Sequence, residues 1–259
     1  TRSVAFGHLS HTNIMEFVTF SSTGNATDFG DMVVLRRSAQ SCSNQTRGVM
    51  MGGIIPGTPN TDAMDFSTIA TTGNALDFGN LATVSGNTSG NAGSPTRGLC
   101  LGGTPAATGA AQFITIATTG DATLFGDLVD TDIGSGGISS PTRGIIHGID
   151  RNPATLKMTQ FFEIATKGNA EEFGELVNNY KAQAGASSST RGLSMAGYID
   201  SSNQANTIEF CTIATKGNFQ DFGDLTTARH SGSGTSNNTR AIMIGGATGS
   251  SGSNTNVID

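Results

Sequence analysis

The chain has 259 residues, a formal net charge of −6, 36 glycines, no tryptophan and only 13% charged residues. With four lysines and no basic run, it lacks the cationic track that follows a phosphate backbone, so no nucleic-acid partner is expected. Its apolar runs are far shorter than a membrane span, so no membrane-spanning segment is expected.

Two landmarks recur along the chain. Thr-Arg occurs six times, at Arg2, Arg47, Arg97, Arg143, Arg191 and Arg240, with spacings of 45, 50, 46, 48 and 49 residues. A longer motif occurs five times: Thr19–Met32, Thr68–Leu81 (TIATTGNALDFGNL), Thr115–Leu128, Glu163–Leu176 and Thr212–Leu225. Self-similarity at this period indicates a propeller, solenoid or array. Units of such an array bury their apolar faces against their neighbours, so residues 1–259 are read as one domain. Its repeats start near Thr1, Thr46, Thr96, Thr142, Thr190 and Thr239, and the last is partial.

In chain order each period predicts four strands. The first is an apolar run ending in small residues, as in Gly48–Gly53, Gly98–Gly103 and Ala241–Gly246. Such a run suits a strand buried on both faces. After a variable loop comes a phenylalanine-containing strand, as in Met64–Ala70 or Ile208–Ala214. Gly-Asn, or Gly120-Asp121, then supplies hairpin turn residues. A returning strand carries the second phenylalanine, and a polar strand such as Arg36–Cys42 or Arg229–Gly234 leads to the next Thr-Arg. The segment Asn169–Lys181 contains good helix formers. Its four equivalents hold more turn and strand formers, and the repeat context predicts a strand there.

The fold expected is therefore all-β: a β-propeller of four-stranded antiparallel blades, about five to six of them, with a period of about 48 residues. Five blades leave a redundant strand near Arg240; six leave one blade without its last strand and another without its first. Ten of the fourteen phenylalanines occupy two repeat positions: Phe17, Phe66, Phe113, Phe161 and Phe210, and Phe29, Phe78, Phe125, Phe173 and Phe222. A ring recurring once per period is expected to pack one unit against the next.

The six repeated arginines could form a ring of guanidinium groups for sulfate, phosphate or acidic sugars. The simpler expectation is that each pairs with a carbonyl or a repeat acid such as Asp31, Asp127, Glu175 or Asp224. The recurring Asn25/Asp28/Asp31 set has the oxygen ligands of a calcium site, but Leu124 and Asn80 break the pattern. Turn chemistry is the reading adopted, and no metal or cofactor is expected. Cys42, Cys100 and Cys211 match no zinc spacing and read as buried thiols. His8, His11, His147 and His230 lie at different repeat positions, with His147 where other copies carry an apolar residue. No nucleophile elbow, P-loop or dinucleotide fingerprint is present, and no enzyme activity is expected.

The order of double glycine, loop, aromatic strand, Gly-Asn turn, aromatic strand and arginine resembles the kelch repeat of β-propellers. It has phenylalanine where kelch has tryptophan. The turn at Thr71–Phe78 is similar to the Asp-box of sialidase-like propellers. The pattern TIATTGNAxDFGDL…SSxTRG resembles, over essentially the whole chain, repeats of virion-associated proteins of marine tailed phages. That resemblance implies a non-enzymatic structural or attachment component of an extracellular virion. Its implied partners are other virion proteins, further copies of itself or a host-surface glycan. A secreted carbohydrate-binding propeller and a sialidase-like glycoside hydrolase are the alternatives.

Overall fold

The structure, a computed structural model, describes residues 2–6, 11–58, 60–86, 90–103, 109–130, 136–151, 154–198, 203–249 and 253–259. It is an all-β propeller of antiparallel blades, with no helix among the described residues. The second blade shows the pattern: inner strand Gln40–Ser43, then Arg47–Met51, Thr61–Thr68 and outer strand Leu76–Ser85, hydrogen-bonded in that order. The third, fourth and fifth blades repeat it, with inner strands Asn91–Gly93, Gly136–Ser139 and Ala184–Ser187. Among the described residues the first blade has three strands, Arg2–Phe6, Thr12–Thr19 and Thr27–Arg36, in the places of the second, third and outer strands of the other blades.

After the fifth blade a partial sixth begins with Ser233–Ser236 paired to Ala241–Ile244. The chain end adds the start of a third strand, through the Ile244–Ile258 bridge and bonds between Met243 and Asp259. By register, Ile258 stands where Met64 stands in the second blade, and Asp259 where Asp65 stands. The segment Asn169–Lys181 contains the strand Glu171–Glu175, so repeat context prevails over local helix preference.

Thr-Arg marks a turn. The side chains of Asn44, Ser94, Ser140, Ser188 and Asn237 each accept from the two amides of the Thr-Arg that follows. This local bonding satisfies backbone donors that would otherwise be left at the bend. The arginine then opens a strand whose alternate residues face opposite neighbours. Val49 and Met51 pack with Cys100, Ile114 and Ile116 of the third blade, while Met50 packs with Met15 and Phe29 of the first.

The core is thus divided between blades rather than lying within them. Each of five apolar clusters joins two consecutive blades, from the first–second interface to the fifth–sixth. Inner strands line up side by side: Ser187 donates to Ser139 O and Ser236 donates to Ser187 O, at 2.7 and 2.6 Å.

The returning phenylalanine of each of the first five blades is the extra residue of a β-bulge. In the second blade Met64 pairs with Gly79 and Asp65 with Asp77, leaving Phe78 unpaired in the ladder. The same shift isolates Phe29, Phe125, Phe173 and Phe222. A bulge turns one peptide group out of the ladder. Here the freed carbonyl meets the next blade: Gly73, Gly120, Gly168 and Gly217 donate to Phe29, Phe78, Phe125 and Phe173 O at 2.7–3.1 Å. The glycine after each bulge permits that approach. At Gly79 (φ +138°) an added Cβ would lie 2.6 Å from Gly120 O, whereas Gly223 (φ +146°) has nothing within 4 Å.

Those two glycines share their backbone strain and differ in the neighbour. Gly79→Ala is therefore expected to destabilise the chain by about 1–3 kcal/mol more than Gly223→Ala. Urea unfolding of both variants measures this, and equal losses would show that the blade contact contributes nothing.

Candidate functional site

The repeated arginines form the most regular side-chain array in the molecule. Each lies over the first phenylalanine of its own blade: Arg2 on Phe17, Arg47 on Phe66, Arg97 on Phe113, Arg143 on Phe161 and Arg191 on Phe210, at 4.5–5.1 Å from the ring centre. Four of these five also reach the end of the third strand in the following blade. Arg47 donates to Ile116 O and Ala117 O at 3.2 and 2.8 Å, Arg97 to Ile164 O and Ala165 O, and Arg143 to Ile213 O and Ala214 O. Arg2 donates to Ala70 O at 3.3 Å. Arg240, in the partial blade, donates to Phe20 O at 3.0 Å. Phe20 is the first blade's counterpart of Ile116, so the sixth blade grips the first as the second grips the third. Ser3 Oγ, donating to Thr235 Oγ1 at 2.9 Å, joins the strand beginning at Arg2 to the sixth blade's inner strand Ser233–Ser236 at the same seam.

The acids expected to neutralise these arginines do not do so. Asp31, Asp127 and Glu175 meet the next blade through backbone amides, which donate to the side chains of Asn74, Asn169 and Asn218. Arg143 alone of the six has an ion pair among the described residues, with Glu163 at 2.7 Å. Two consecutive carbonyls take the N–H groups of one guanidinium nitrogen without an anion being needed. Arg191 is the exception: it contacts the rings of Phe210 and Phe222 and makes no guanidinium hydrogen bond among the described residues. The guanidinium groups are thus engaged along the ring rather than gathered at one opening. The Asn and Asp residues read as turn formers clasp adjacent blades.

The phenylalanines pair first within a blade. Phe17–Phe29, Phe66–Phe78, Phe113–Phe125, Phe161–Phe173 and Phe210–Phe222 meet edge to face at 5.7–6.1 Å. Contact with the next blade follows, as in Phe125–Phe162 and Phe173–Phe219. Phe29, Phe78, Phe125 and Phe173 are buried, but Phe222 is 51% exposed. Phe66 and Phe161 are buried, whereas Phe17, Phe113 and Phe210 are half-buried.

A second periodic set escaped the sequence reading. The residue before the first phenylalanine is Asp65, Gln112, Gln160 or Glu209, each buried. Each accepts from one or two amides of the preceding blade, in the second half of its outer strand or just past it: Val33 and Val34, Thr83, Val129 and Asp130, Val177 and Asn178. In the second blade Asp65 also pairs with Arg36 at 3.0 Å, and neither side chain is more than 1% exposed. Arg36 in turn donates to Ala63 O at 2.7 Å. Burial pushes the Asp65 carboxyl up, while Arg36 and the two amides oppose that shift. Arg229 and Asp259 repeat the pair at 2.7 Å, and Thr226 donates to the same carboxylate. The end of the chain is therefore anchored outside its own blade, as is Gly249, which donates to Gln204. Arg36 and Arg229, expected in polar strands, are wholly buried.

Cys42, Cys100 and Cys211 are buried free thiols whose ionisation burial pushes up to about 12. Among the described residues no three His, Cys, Asp or Glu side chains gather as a metal site. His8 lies outside the described residues. His230 stacks on Tyr198 at 3.7 Å. His147 is fully buried, with Nδ1 2.9 Å from Ser194 Oγ. No helix among the described residues is long and apolar enough to cross a membrane, which says nothing of a β-barrel. Shallow clefts of about 230 and 190 Å³ lie at equivalent positions beside Phe66 and Phe161, each against the Gly-Asn turn of its own blade. Compared with known proteins, the chain matches no family model and no curated protein.

Burial pushes the His147 imidazole from its ordinary 6.5 down to about 4. The unfolded chain then takes up a proton that the folded chain refuses. Stability from this residue is fully present above pH 6.5 and is lost as pH falls toward 4. Over that window the loss is about 3 kcal/mol. His147→Gln is expected to flatten this part of the stability–pH curve, as read by urea unfolding at successive pH values. An unchanged slope would contradict the assignment.

Proposed function

We propose that this propeller is a non-enzymatic structural or attachment component of a tailed-phage virion, a scaffold for contacts with other virion proteins or a host surface. The observation that carries the scaffold reading is the clasp between blades. Bulge carbonyl, turn amide, arginine and buried acid or amide recur at interface after interface. Among the described residues, those in the loops that follow strands such as Arg47–Met51 and Arg191–Met195 take no part in that set, so sequence change there need not loosen the ring. Surface loops on a rigid frame are where binding commonly resides. The likeness of the repeat to virion-associated proteins of marine tailed phages supports the particle as the setting.

The twin clefts beside Phe66 and Phe161 favour a second reading, carbohydrate binding at repeat-related sites. They are smaller than the roughly 300–1,000 Å³ of usual ligand pockets and hold no tyrosine or tryptophan platform. The scaffold reading is therefore preferred. Antibodies raised against the chain are expected to decorate purified tailed-phage particles in immunogold micrographs. Bare particles, together with strong and selective signals on a glycan array, would replace the scaffold reading with the second.

A further inference from the structure

The outer strand of the first blade, Thr27–Arg36, turns one side to the second blade and the other to solvent. Met32 packs with Met50 of the second blade, and Arg36 pairs with Asp65 there. Alternate residues of a strand face opposite ways, so Asp31, Val33, Leu35 and Arg37 form one outward row. Val33 is 55% exposed and Leu35 41%. That exposure does not come from the blade's place in the chain. Val129 and Val177 hold the position of Val33 in blades with a complete blade on either side, and they are 47% and 42% exposed. Val84 holds the position of Leu35 in the second blade and is 37% exposed.

The ends of the row are charged. Asp31 and Arg37 are both half-buried, and the backbone of each bonds to the second blade. Neither side chain has a hydrogen-bond or ion-pair partner among the described residues, although charge withdrawn from water is normally paired. Six residues of strand hold the two about 20 Å apart, too far to neutralise each other. Among the described residues no other blade repeats this row. The second has neutral Asn80 and Gly86 at its ends, and the fourth has Asn179 in the place of Leu35. The fifth has Thr226 and Ala228 between its ends, and His230, in the place of Arg37, is buried against Tyr198.

The order acid, apolar, apolar, base is its own complement. A two-fold axis over Val34 lays the row antiparallel to itself: Asp31 meets the second copy's Arg37, Val33 meets the second copy's Leu35, and each contact occurs twice. Such self-complementary patches are what two-fold dimers require. The amides of Val33 and Val34 are already held by Asp65, so the contact runs through side chains and adds no strand to the sheet. We propose that the outward row from Asp31 to Arg37 on the first blade is the surface through which two copies of this chain associate. The inference goes beyond the scaffold reading and does not rest on it, so its failure leaves that reading in place. Two large apolar side chains per copy bury little area, which makes the association weak and reversible. The Asp31–Arg37 pairs fix its direction and exclude the other rims, which lack the complement.

The test uses the whole 259-residue chain in analytical ultracentrifugation over a wide concentration range. The parent chain is expected to show a reversible monomer–dimer equilibrium that added salt weakens. Asp31→Arg makes both ends of the row cationic, and Arg37→Asp makes both anionic. Each variant alone then sets like charges against each other and is expected to dimerise at least about tenfold more weakly than the parent. Mixed in equal amounts, the two variants meet only with opposite charges, and a mixed dimer is expected to form at least as tightly as the parent's. Neither side chain bonds within the chain, and urea unfolding checks that both variants fold. Asp31→Lys and Arg37→Glu carry the same charges should either fail. The proposal is overturned if the parent sediments as a monomer throughout. It is also overturned if either folded variant dimerises as the parent does, or if mixing the two restores no dimer.

Discussion

The outer strand of each complete interface finishes its hydrogen bonding on the turn of the next blade. A bulge at Phe29, Phe78, Phe125 or Phe173 turns its carbonyl outward, and the glycine amide of the following hairpin donates to it. Two residues on, Asp31, Asn80, Asp127 or Glu175 accepts from the next backbone amide in that turn and donates to its Asn or Asp side chain. These are backbone groups that water would otherwise have to satisfy, so a blade without a successor is left with unmet bonds and an exposed ring. Phe222 shows that state directly. The other regularities follow from this constraint. Glycine is needed after each bulge, the apolar clusters lie between blades, and the arginine spans to the carbonyls just before the same turn.

Much of this architecture was legible in the sequence because it is periodic. The Thr-Arg spacing located every second strand, and the Gly-Asn turns located every hairpin. Repeat context decided Glu171–Glu175 against its local helix preference. The bulges were not legible, since a one-residue shift leaves the pattern Phe-Gly unchanged whether Phe lies in register or outside it. For the arginines the expectation named carbonyls and repeat acids together, and the acceptors are chiefly backbone carbonyls; side-chain identities could not choose between the two, since every residue has a carbonyl. The buried position of Asp65, Gln112, Gln160 and Glu209 did carry a signal: an oxygen acceptor recurs directly before the first phenylalanine, inside an otherwise apolar strand. Reading that column alone would have located the contact with the preceding blade.

The charge buried at Asp65 and Asp259 is confined to the copies that also carry Arg36 or Arg229. Where the arginine is absent the position holds Gln112 or Gln160, neutral and able to bond both an amide and a carbonyl, as Gln112 does with Thr83. Glu209 instead receives two amides and the Asn178 side chain. An unpaired buried charge is strongly unfavourable, and each copy solves this differently at one backbone position. The seam between the sixth and first blades is built otherwise. Arg240–Phe20 and Ser3–Thr235 are polar, and no apolar cluster crosses it among the described residues. These two contacts are what close the ring.

That closure is the central claim, and a distance measurement tests it most directly. Spin labels at Asn238 and Ser21 flank the Arg240–Phe20 contact, and labels at Gln45 and Ala117 occupy the equivalent exposed positions around Arg47–Ile116. Electron spin resonance on the two doubly labelled chains compares the seam with an internal interface. Closure of the ring predicts two narrow distributions with the same centre. A seam distribution that is broad and displaced to longer distances, beside a narrow internal one, would show an open arc and contradict it.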